Sequence, residues 1–140
     1  TRRAKVDVFA MDRVIVPVNC GNVHWTVAVI LPQERRVLYL DSMGGSGTDR
    51  LELLLRYLED EHMDKKKEPL DTSDWSTEHT DRVPRQRNGY DCGVFLCTFA
   101  DYLTSPRFMA FDFTQEEMPF LRQRVAYSIL KREVNGLEDV

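Results

Sequence analysis

The sequence is poor in cysteine and has no long apolar run, and each absence excludes a class of protein. Cys20, Cys92 and Cys97 form neither a C-x-x-C pair nor an even set. This pattern argues against structural disulfides and against a zinc or other metal site, and it fits a reducing compartment. No run approaches the ~20 apolar residues of a membrane span, and no charged-then-apolar leader opens the chain, so we predict no membrane partner.

The chain also lacks an excess of positive charge. It has 19 Lys and Arg against 23 Asp and Glu, a formal net charge of −4. Nucleic-acid binding needs a clustered basic face, so we predict no nucleic-acid partner. At 140 residues, with 42% hydrophobic and 30% charged residues, the composition is that of one globular domain with a single core.

Residues 84–93, P-R-Q-R-N-G-Y-D-C-G, place a cysteine directly before a helical pattern. Phe95, Phe99 and Leu103 follow at a spacing of four residues, which predicts a helix that begins at Cys92. A thiol at a helix N-terminus faces unpaired backbone N–H groups and the positive end of the helix dipole. Both favour the thiolate, which is the form that acts as a nucleophile at neutral pH.

Cys92 also has a structural alternative, since a free cysteine more often packs as a small apolar residue. The tight turn at Asn88–Gly89 and the glutamine Gln86 favour the functional interpretation. Asp91 occupies the N-cap position, and because its charge would oppose a thiolate, we expect its carboxylate to point away from the sulfur. Cys97 lies about 140° around the helix from Cys92 and is predicted to be a core residue.

A thiolate nucleophile needs a base, and His24 is the histidine best placed for this task. It opens the β-branched run 23–31, which predicts a buried strand. We expect His62, in a charged helical pattern, and His79, in a polar loop, to be solvated surface residues. The next apolar run ends at Asp41 and follows the first as a hairpin, so His24 and Asp41 are predicted to meet at one edge of the sheet.

Asp41 suits the third role, that of a carboxylate which fixes the imidazole tautomer. The structural alternative is a turn or helix-cap residue before the glycine-rich segment 42–47. That segment is interpreted as a mobile connector, because it lacks the lysine of a phosphate loop. The residues alone leave both interpretations of Asp41 open.

Three separated motifs resemble the SUMO-specific (sentrin-specific) cysteine proteases of the Ulp group. They are H-W beginning at His24, L-D-S-M-G around Asp41 and Q-R-N-G-Y-D-C-G beginning at Gln86, in this order. The similarity covers most of residues 5–133 and includes V-D-V-F, V-P-V, D-K-K-K and F-T-Q-x-x-M-P.

The resemblance implies a role for each motif residue. Cys92 is expected to be the nucleophile, His24 the base, Asp41 the orienting acid and Gln86 the oxyanion-hole side chain. The bond to be hydrolysed follows the C-terminal Gly-Gly of SUMO, in a conjugate or in the precursor, and no cofactor is implied. The residues expected to bind the substrate tail are Val23, Trp25, Met43, Gly44, Asn88 and Gly89.

The resemblance also implies the fold, a papain-like α+β cysteine protease with a small mixed or antiparallel sheet flanked by helices and the nucleophile at a helix N-terminus. Residues 1–140 are interpreted as a single Ulp-type catalytic domain that lacks the N-terminal helical part of the family. SUMO and SUMO-conjugated proteins are the expected partners of a monomer in the nucleus, with the cytoplasm as a second location. Two alternatives remain open: a NEDD8- or ubiquitin-directed hydrolase of the same clan, and an inactive module that binds a ubiquitin-like protein.

Periodicity predicts the other elements of the chain. Strands are expected at 6–9, 14–18 and 36–41, a helix at 49–63 with Thr48 or Asp49 as its cap, and a last helix from a Thr114–Glu117 capping box to about residue 133. The residues predicted to be buried on these two helices are Leu51, Leu54, Leu55, Leu58 and Met63 on the first, and Leu121, Val125 and Ile129 on the last.

Overall fold

A mixed sheet of four strands forms the centre of the computed structural model, which describes residues 5–133. The strands are β1 (Val14–Cys20), β2 (His24–Leu31), β3 (Arg36–Leu40) and β4 (Ser76–His79), and they lie side by side in this order. The first three are antiparallel, and β4 joins β3 in parallel. The predicted strands 14–18, 23–31 and 36–41 are therefore confirmed, whereas His79 lies in a strand and not in a loop.

Three helices complete the fold: α1 (Thr48–Lys66), α2 (Cys92–Thr104) and α3 (Met118–Lys131). One face of the sheet packs Ala28 and Ile30 of β2 against α1, where Leu58 is fully buried. The opposite face packs Val27 and Val29 against Phe95 and Phe99 of α2. Because both faces of β2 are covered, its sequence is a continuous apolar run and does not alternate with polar residues.

The structure gives α2 a direction relative to the sheet. Arg13, which precedes β1, donates from Nη1 to the carbonyl oxygen of Leu103 at 2.8 Å, so α2 ends near the start of β1. The start of β1 pairs with the end of β2, and the end of β1 pairs with the start of β2, where Cys20 faces His24. The N-terminus of α2, with Cys92, therefore lies toward the end of the sheet that carries His24.

Two further sequence predictions about local structure are wrong. Residues 8–10 form a short 3-10 turn and not a strand, because Asp7 caps it by accepting a hydrogen bond from the N–H of Phe9 at 3.1 Å. The N-cap of α1 is Gly47, whereas the sequence predicts Thr48 or Asp49. Gly47 adopts a left-handed φ of 61°, and a Cβ at this position would lie 2.3 Å from the Tyr39 ring, so only glycine fits.

Three residues predicted to be buried are exposed. Cys97 lies on the side of α2 opposite to the buried stripe, roughly 200° from Phe95 and from Phe99 at 100° per residue, and it faces a groove beside α3. Met63 and Ile129, near the ends of α1 and α3, are 47% and 71% exposed. The apolar spacing of each helix therefore continues beyond the part that packs on the core.

The Thr114–Glu117 capping box is confirmed. The carboxylate of Glu117 accepts from the N–H of Thr114 at 2.8 Å, and the box encloses a 3-10 turn at Gln115–Glu117 that precedes α3. Pro119 then occupies the first turn of α3, where its missing N–H costs no hydrogen bond. Among the helices described over residues 5–133, none is long and apolar enough to cross a membrane.

The packing of α1 on the sheet gives a stability prediction. Replacing the fully buried Leu58 with Ala should lower the free energy of unfolding by about 2–5 kcal/mol, because burial is lost and a cavity remains. Leu53, on the same helix, is 62% exposed, and its replacement with Ala should change the free energy by less than about 0.5 kcal/mol. Urea denaturation measures both variants, and equal losses would contradict the assignment of the buried face.

Candidate active site

His24 and Asp41 form a hydrogen-bonded pair at one end of the sheet. Nε2 of His24 lies 2.7 Å from Oδ1 of Asp41, and both side chains are largely buried. Because a carboxylate only accepts, the Nε2 nitrogen carries the proton and Nδ1 keeps its free lone pair. The predicted meeting of these two residues is confirmed, and the imidazole is held in the tautomer that a general base requires.

Asp41 also organises the glycine-rich segment that follows it. Its Oδ1 accepts from the N–H of Met43 at 2.7 Å, and its Oδ2 accepts from the N–H of Gly45 at 3.0 Å. A Cβ on residue 45 would lie 2.6 Å from Oδ2 of Asp41, so a glycine is needed for this close approach. One carboxylate therefore makes the contacts that both interpretations of Asp41 require, a hydrogen bond to the imidazole and the closure of the turn.

Gln86 is joined to the residue after Asp41 by its backbone and its side chain. Its N–H donates to the carbonyl oxygen of Ser42 at 2.9 Å, and its Oε1 accepts from the Ser42 hydroxyl at 2.8 Å. Its Nε2 donates to the carbonyl oxygen of Asn88 at 2.5 Å. These contacts fix the orientation of the carboxamide and leave one Nε2–H for another acceptor.

Cys92 is the first residue of α2 and is buried, with 7% of its surface exposed. The direction of α2 brings it to the end of the sheet that carries His24, and the hydrogen bonds of Gln86 fix the loop before it to Ser42. The structure therefore brings three groups to this end of the sheet. They are an imidazole with a free nitrogen, a carboxamide donor and a thiol at a helix N-terminus. This set of groups suits acyl transfer.

The carboxylate of Asp91 is held by three side chains away from its own helix. It makes no capping hydrogen bond to α2, and it accepts from Asn88, Gln115 and Arg122. Burial opposes the ionised form, but these hydrogen bonds and the charge of Arg122 outweigh burial and hold the pKa of Asp91 below its usual value.

The residues predicted to bind a substrate tail lie on three segments around this end of the sheet. Val23 and Trp25 flank His24 and are 82% and 42% exposed, and Met43 follows Asp41 and is 61% exposed. Exposed apolar side chains on neighbouring segments can together form a binding patch. The others are Gly44, which is exposed, and Asn88 and Gly89, which lie in the loop before α2.

Sequence reasoning missed several residues that support this site. Ser42 stood inside the motif L-D-S-M-G but was given no role. Gln115 lies in the motif F-T-Q-x-x-M-P, which assigns it no role, and Arg122 belongs to none of the motifs. No local pattern could have found Arg122, since its partner Asp91 lies 31 residues away in the sequence.

A cavity of about 430 Å³ lies elsewhere, in the groove between α2, α3 and β1. It is lined by Leu96, Cys97, Leu121 and Ile129 among others, and none of the predicted catalytic residues contributes to it. Although Cys97 is exposed, its surroundings shield the sulfur enough to raise the pKa of this thiol, which disfavours its thiolate. Over residues 5–133 no group of three or more His, Cys, Asp or Glu could hold a metal ion.

Residues 1–134 match the Ulp1 protease family, C-terminal catalytic domain. The chain belongs to the Ulp1 protease family. A sentrin-specific protease of Caenorhabditis elegans is 42% identical over 133 residues, a match that covers 93% of this chain and 18% of that protein. The chain therefore spans less than a fifth of the length of this relative.

Solved structures of Ulp1 family members share the fold. The Ulp1-like SUMO protease catalytic domain of Chaetomium thermophilum superposes with a TM-score of 0.76 at 33% identity, over 94% of this chain and 52% of that one. The C-terminal Ulp1 protease domain in complex with Smt3, the yeast orthologue of SUMO, gives a TM-score of 0.72 at 26% identity, over 93% of this chain and 57% of that one. The predicted papain-like α+β fold is confirmed.

The donors around Asp41 give a prediction for its amide variant. Asp41→Asn should lower the free energy of unfolding by about 1–3 kcal/mol, because every side-chain partner of Asp41 is an N–H donor and an amide group must oppose at least one of them. Asp60→Asn, at an exposed position on α1, is the matched control and should change little. Urea denaturation at neutral pH compares the two, and similar small changes would mean that Asp41 is not held as described.

Proposed function

We propose that the chain is a thiol protease that hydrolyses the bond after the C-terminal Gly-Gly of SUMO. The observation that carries the proposal is the His24–Asp41 pair, with Nε2 2.7 Å from Oδ1, at the same end of the sheet as Gln86 and the buried thiol of Cys92. The leaving group is a lysine amine of a conjugate or a short C-terminal peptide of the precursor. The similarity to a protease domain solved with Smt3 supports SUMO as the substrate.

The first half of the reaction forms a thioester. His24, through Nδ1, takes the proton of the Cys92 thiol, and the sulfur attacks the carbonyl carbon of the terminal glycine. The Gln86 Nε2–H and the Cys92 backbone N–H donate to the oxyanion that forms. As the tetrahedral intermediate collapses, the C–N bond breaks and the protonated His24 gives its proton to the leaving amine.

The second half hydrolyses the thioester. His24 removes a proton from a water molecule, whose oxygen attacks the same carbonyl carbon, and the same two donors stabilise the second oxyanion. The C–S bond breaks, the product is released with a free carboxyl group on its terminal glycine, and the proton returns from His24 to the sulfur of Cys92. Asp41 stays ionised throughout and stabilises the imidazolium form of His24.

The tail of the substrate accounts for the exposed apolar residues around the site. A Gly-Gly tail has no side chains, so it can lie in a narrow channel covered by Trp25, where bulkier residues would clash. We assign Val23 and Met43 to cover the two glycines, and Gly44, Asn88 and Gly89 to offer backbone to them. Exclusion of water strengthens the polar contacts to the reacting carbonyl group.

Electrophilic probes test the substrate class directly. The 140-residue chain would be mixed with SUMO, NEDD8 and ubiquitin, each carrying a C-terminal electrophile, and intact mass spectrometry would detect covalent adducts. We expect an adduct with the SUMO probe alone, located at Cys92 by peptide mapping. An adduct with the NEDD8 or ubiquitin probe instead would keep the thiol chemistry and replace the substrate, and no adduct with any probe would contradict the proposal.

Two cysteine variants test the assignment of the nucleophile. Cys92→Ser should abolish hydrolysis of a SUMO C-terminal amide while SUMO binding is retained, because the hydroxyl is a far weaker nucleophile at neutral pH. Cys97→Ala should keep turnover within about threefold of the parent, since this thiol lies in a different groove. A folded Cys97 variant with a loss as large as that of the Cys92 variant would show that the wrong sulfur was chosen.

We further propose a monomer that acts in the nucleus, and also in the cytoplasm, on SUMO and SUMO-conjugated proteins. The similarity to a sentrin-specific protease and to a protease domain solved with Smt3 supports these partners, and the location is what the family resemblance implies. The net charge of −4 supports the view that nucleic acid is not a partner.

A further inference from the structure

Asp91 is a buried carboxylate whose position needs an explanation. Only 4% of its surface is exposed, and it does not cap the helix that it precedes. Asn88 Nδ2 donates to it at 2.7 Å, Gln115 Nε2 at 2.8 Å and Arg122 Nη2 at 2.5 Å. We call these four residues the Asp91 network. A buried charge with three donors from three segments is costly to assemble, and this cost indicates a role beyond packing.

The Asp91 network holds the loop that carries Gln86 at two points. Asn88 accepts at its carbonyl oxygen from Nε2 of Gln86, at 2.5 Å. Gln115 accepts at Oε1 from the backbone N–H of Arg87, at 2.7 Å, while its Nε2 donates to Asp91. The residue that follows Gln86 is therefore tied, through Gln115, to the carboxylate of the residue that precedes α2.

On its other side, Gln86 is fixed to Ser42 by a backbone and a side-chain hydrogen bond, at 2.9 and 2.8 Å. The carboxamide is thus held between Ser42, next to the His24–Asp41 pair, and Asn88, within the Asp91 network. Of its hydrogen-bonding groups, one Nε2–H is left for a substrate oxygen. A small shift of the loop would move this donor relative to the Cys92 backbone N–H.

We propose that Asp91, with Gln115 and Arg122, is a positioning device that holds the Gln86 carboxamide and the Cys92 backbone N–H at the spacing which the oxyanion requires. The inference rests on the proposed function, because it assigns these residues an effect on acyl transfer that operates through Gln86. None of the three needs to touch the substrate. The device joins α3 to the reacting groups.

A double-mutant cycle tests this inference with a SUMO C-terminal coumarin amide as the substrate. Gln86→Ala should lower kcat by ~10²–10³, the usual cost of one oxyanion donor. Gln115→Leu should lower kcat about tenfold through misplacement of Gln86 and leave KM within about threefold. In the Gln86→Ala background, Gln115→Leu should then cost nothing further, because residues that act as one unit are not additive.

A second readout separates positioning from a general loss of structure. Alkylation of Cys92 by iodoacetamide, followed by peptide mass spectrometry, forms no oxyanion, so Gln115→Leu should leave its rate within about twofold of the parent. Gln123→Leu, at an exposed position on α3, is the matched control and should leave both rates unchanged. Since the Arg122 side chain is 53% exposed, Arg122→Met should fold, and it should repeat the loss of kcat. Arg122→Lys should restore much of the lost kcat.

The outcomes distinguish this inference from the proposed function. If the parent chain does not hydrolyse the substrate, the proposed function fails, and this inference fails with it. Suppose that the parent chain is active but that the losses of kcat from Gln86→Ala and Gln115→Leu are additive. The positioning role is then wrong and the proposed function stands. The same conclusion follows if the rate of Cys92 alkylation falls in proportion to kcat. If Gln115→Leu does not fold, the cycle of Gln86→Ala with Arg122→Met decides by the same criterion.

Discussion

The site depends on one carboxylate that accepts from three N–H donors. Asp41 binds the imidazole of His24 and the backbone N–H groups of Met43 and Gly45, so it fixes a side chain on β2 and the turn after β3 at once. This turn contains Ser42, which makes one hydrogen bond to the backbone of Gln86 and one to its side chain. Moving Asp41 would therefore displace His24 and Gln86 together.

The sheet makes this arrangement rigid. Strand β2 is covered by α1 on one face and by α2 on the other, and Val27, Ala28, Val29 and Ile30 are fully buried. Interiors packed at this density resist displacement, so the first residue of β2 has a fixed position relative to α2. The same packing leaves Val23, Trp25 and Met43 exposed, and these are residues to which we assign the substrate tail.

Local patterns in the sequence were sufficient for the parts of the site that are close in the chain. A β-branched run and a short connection were enough to predict that His24 and Asp41 meet, and the spacing of Phe95, Phe99 and Leu103 was enough to place Cys92 at a helix start. Both signals follow from the repeat of a strand or of a helix.

What the sequence could not predict depends on contacts between distant segments. The exposure of Met63 and Ile129 follows from where each helix extends beyond the core, which the apolar spacing does not reveal. The exposure of Cys97, by contrast, could have been predicted, because this residue lies opposite Phe95 and Phe99 on the helix. The parallel pairing of β4 with β3 requires a crossover through α1, and the partners of Asp91 lie on α3 and on the turn before it. The roles assigned to Cys92, His24, Asp41 and Gln86 remain predictions, to be decided by activity.

Amide hydrogen exchange measured by NMR tests the central role of Asp41 most directly. In the parent chain the amides of Met43 and Gly45 should exchange more slowly than free amides, because both donate to the buried carboxylate. In Asp41→Ala these two amides should lose their protection, while those of Val29 and Leu38 in the sheet keep theirs. Exchange at the free rate in the parent chain, or protection that survives the substitution, would contradict the account.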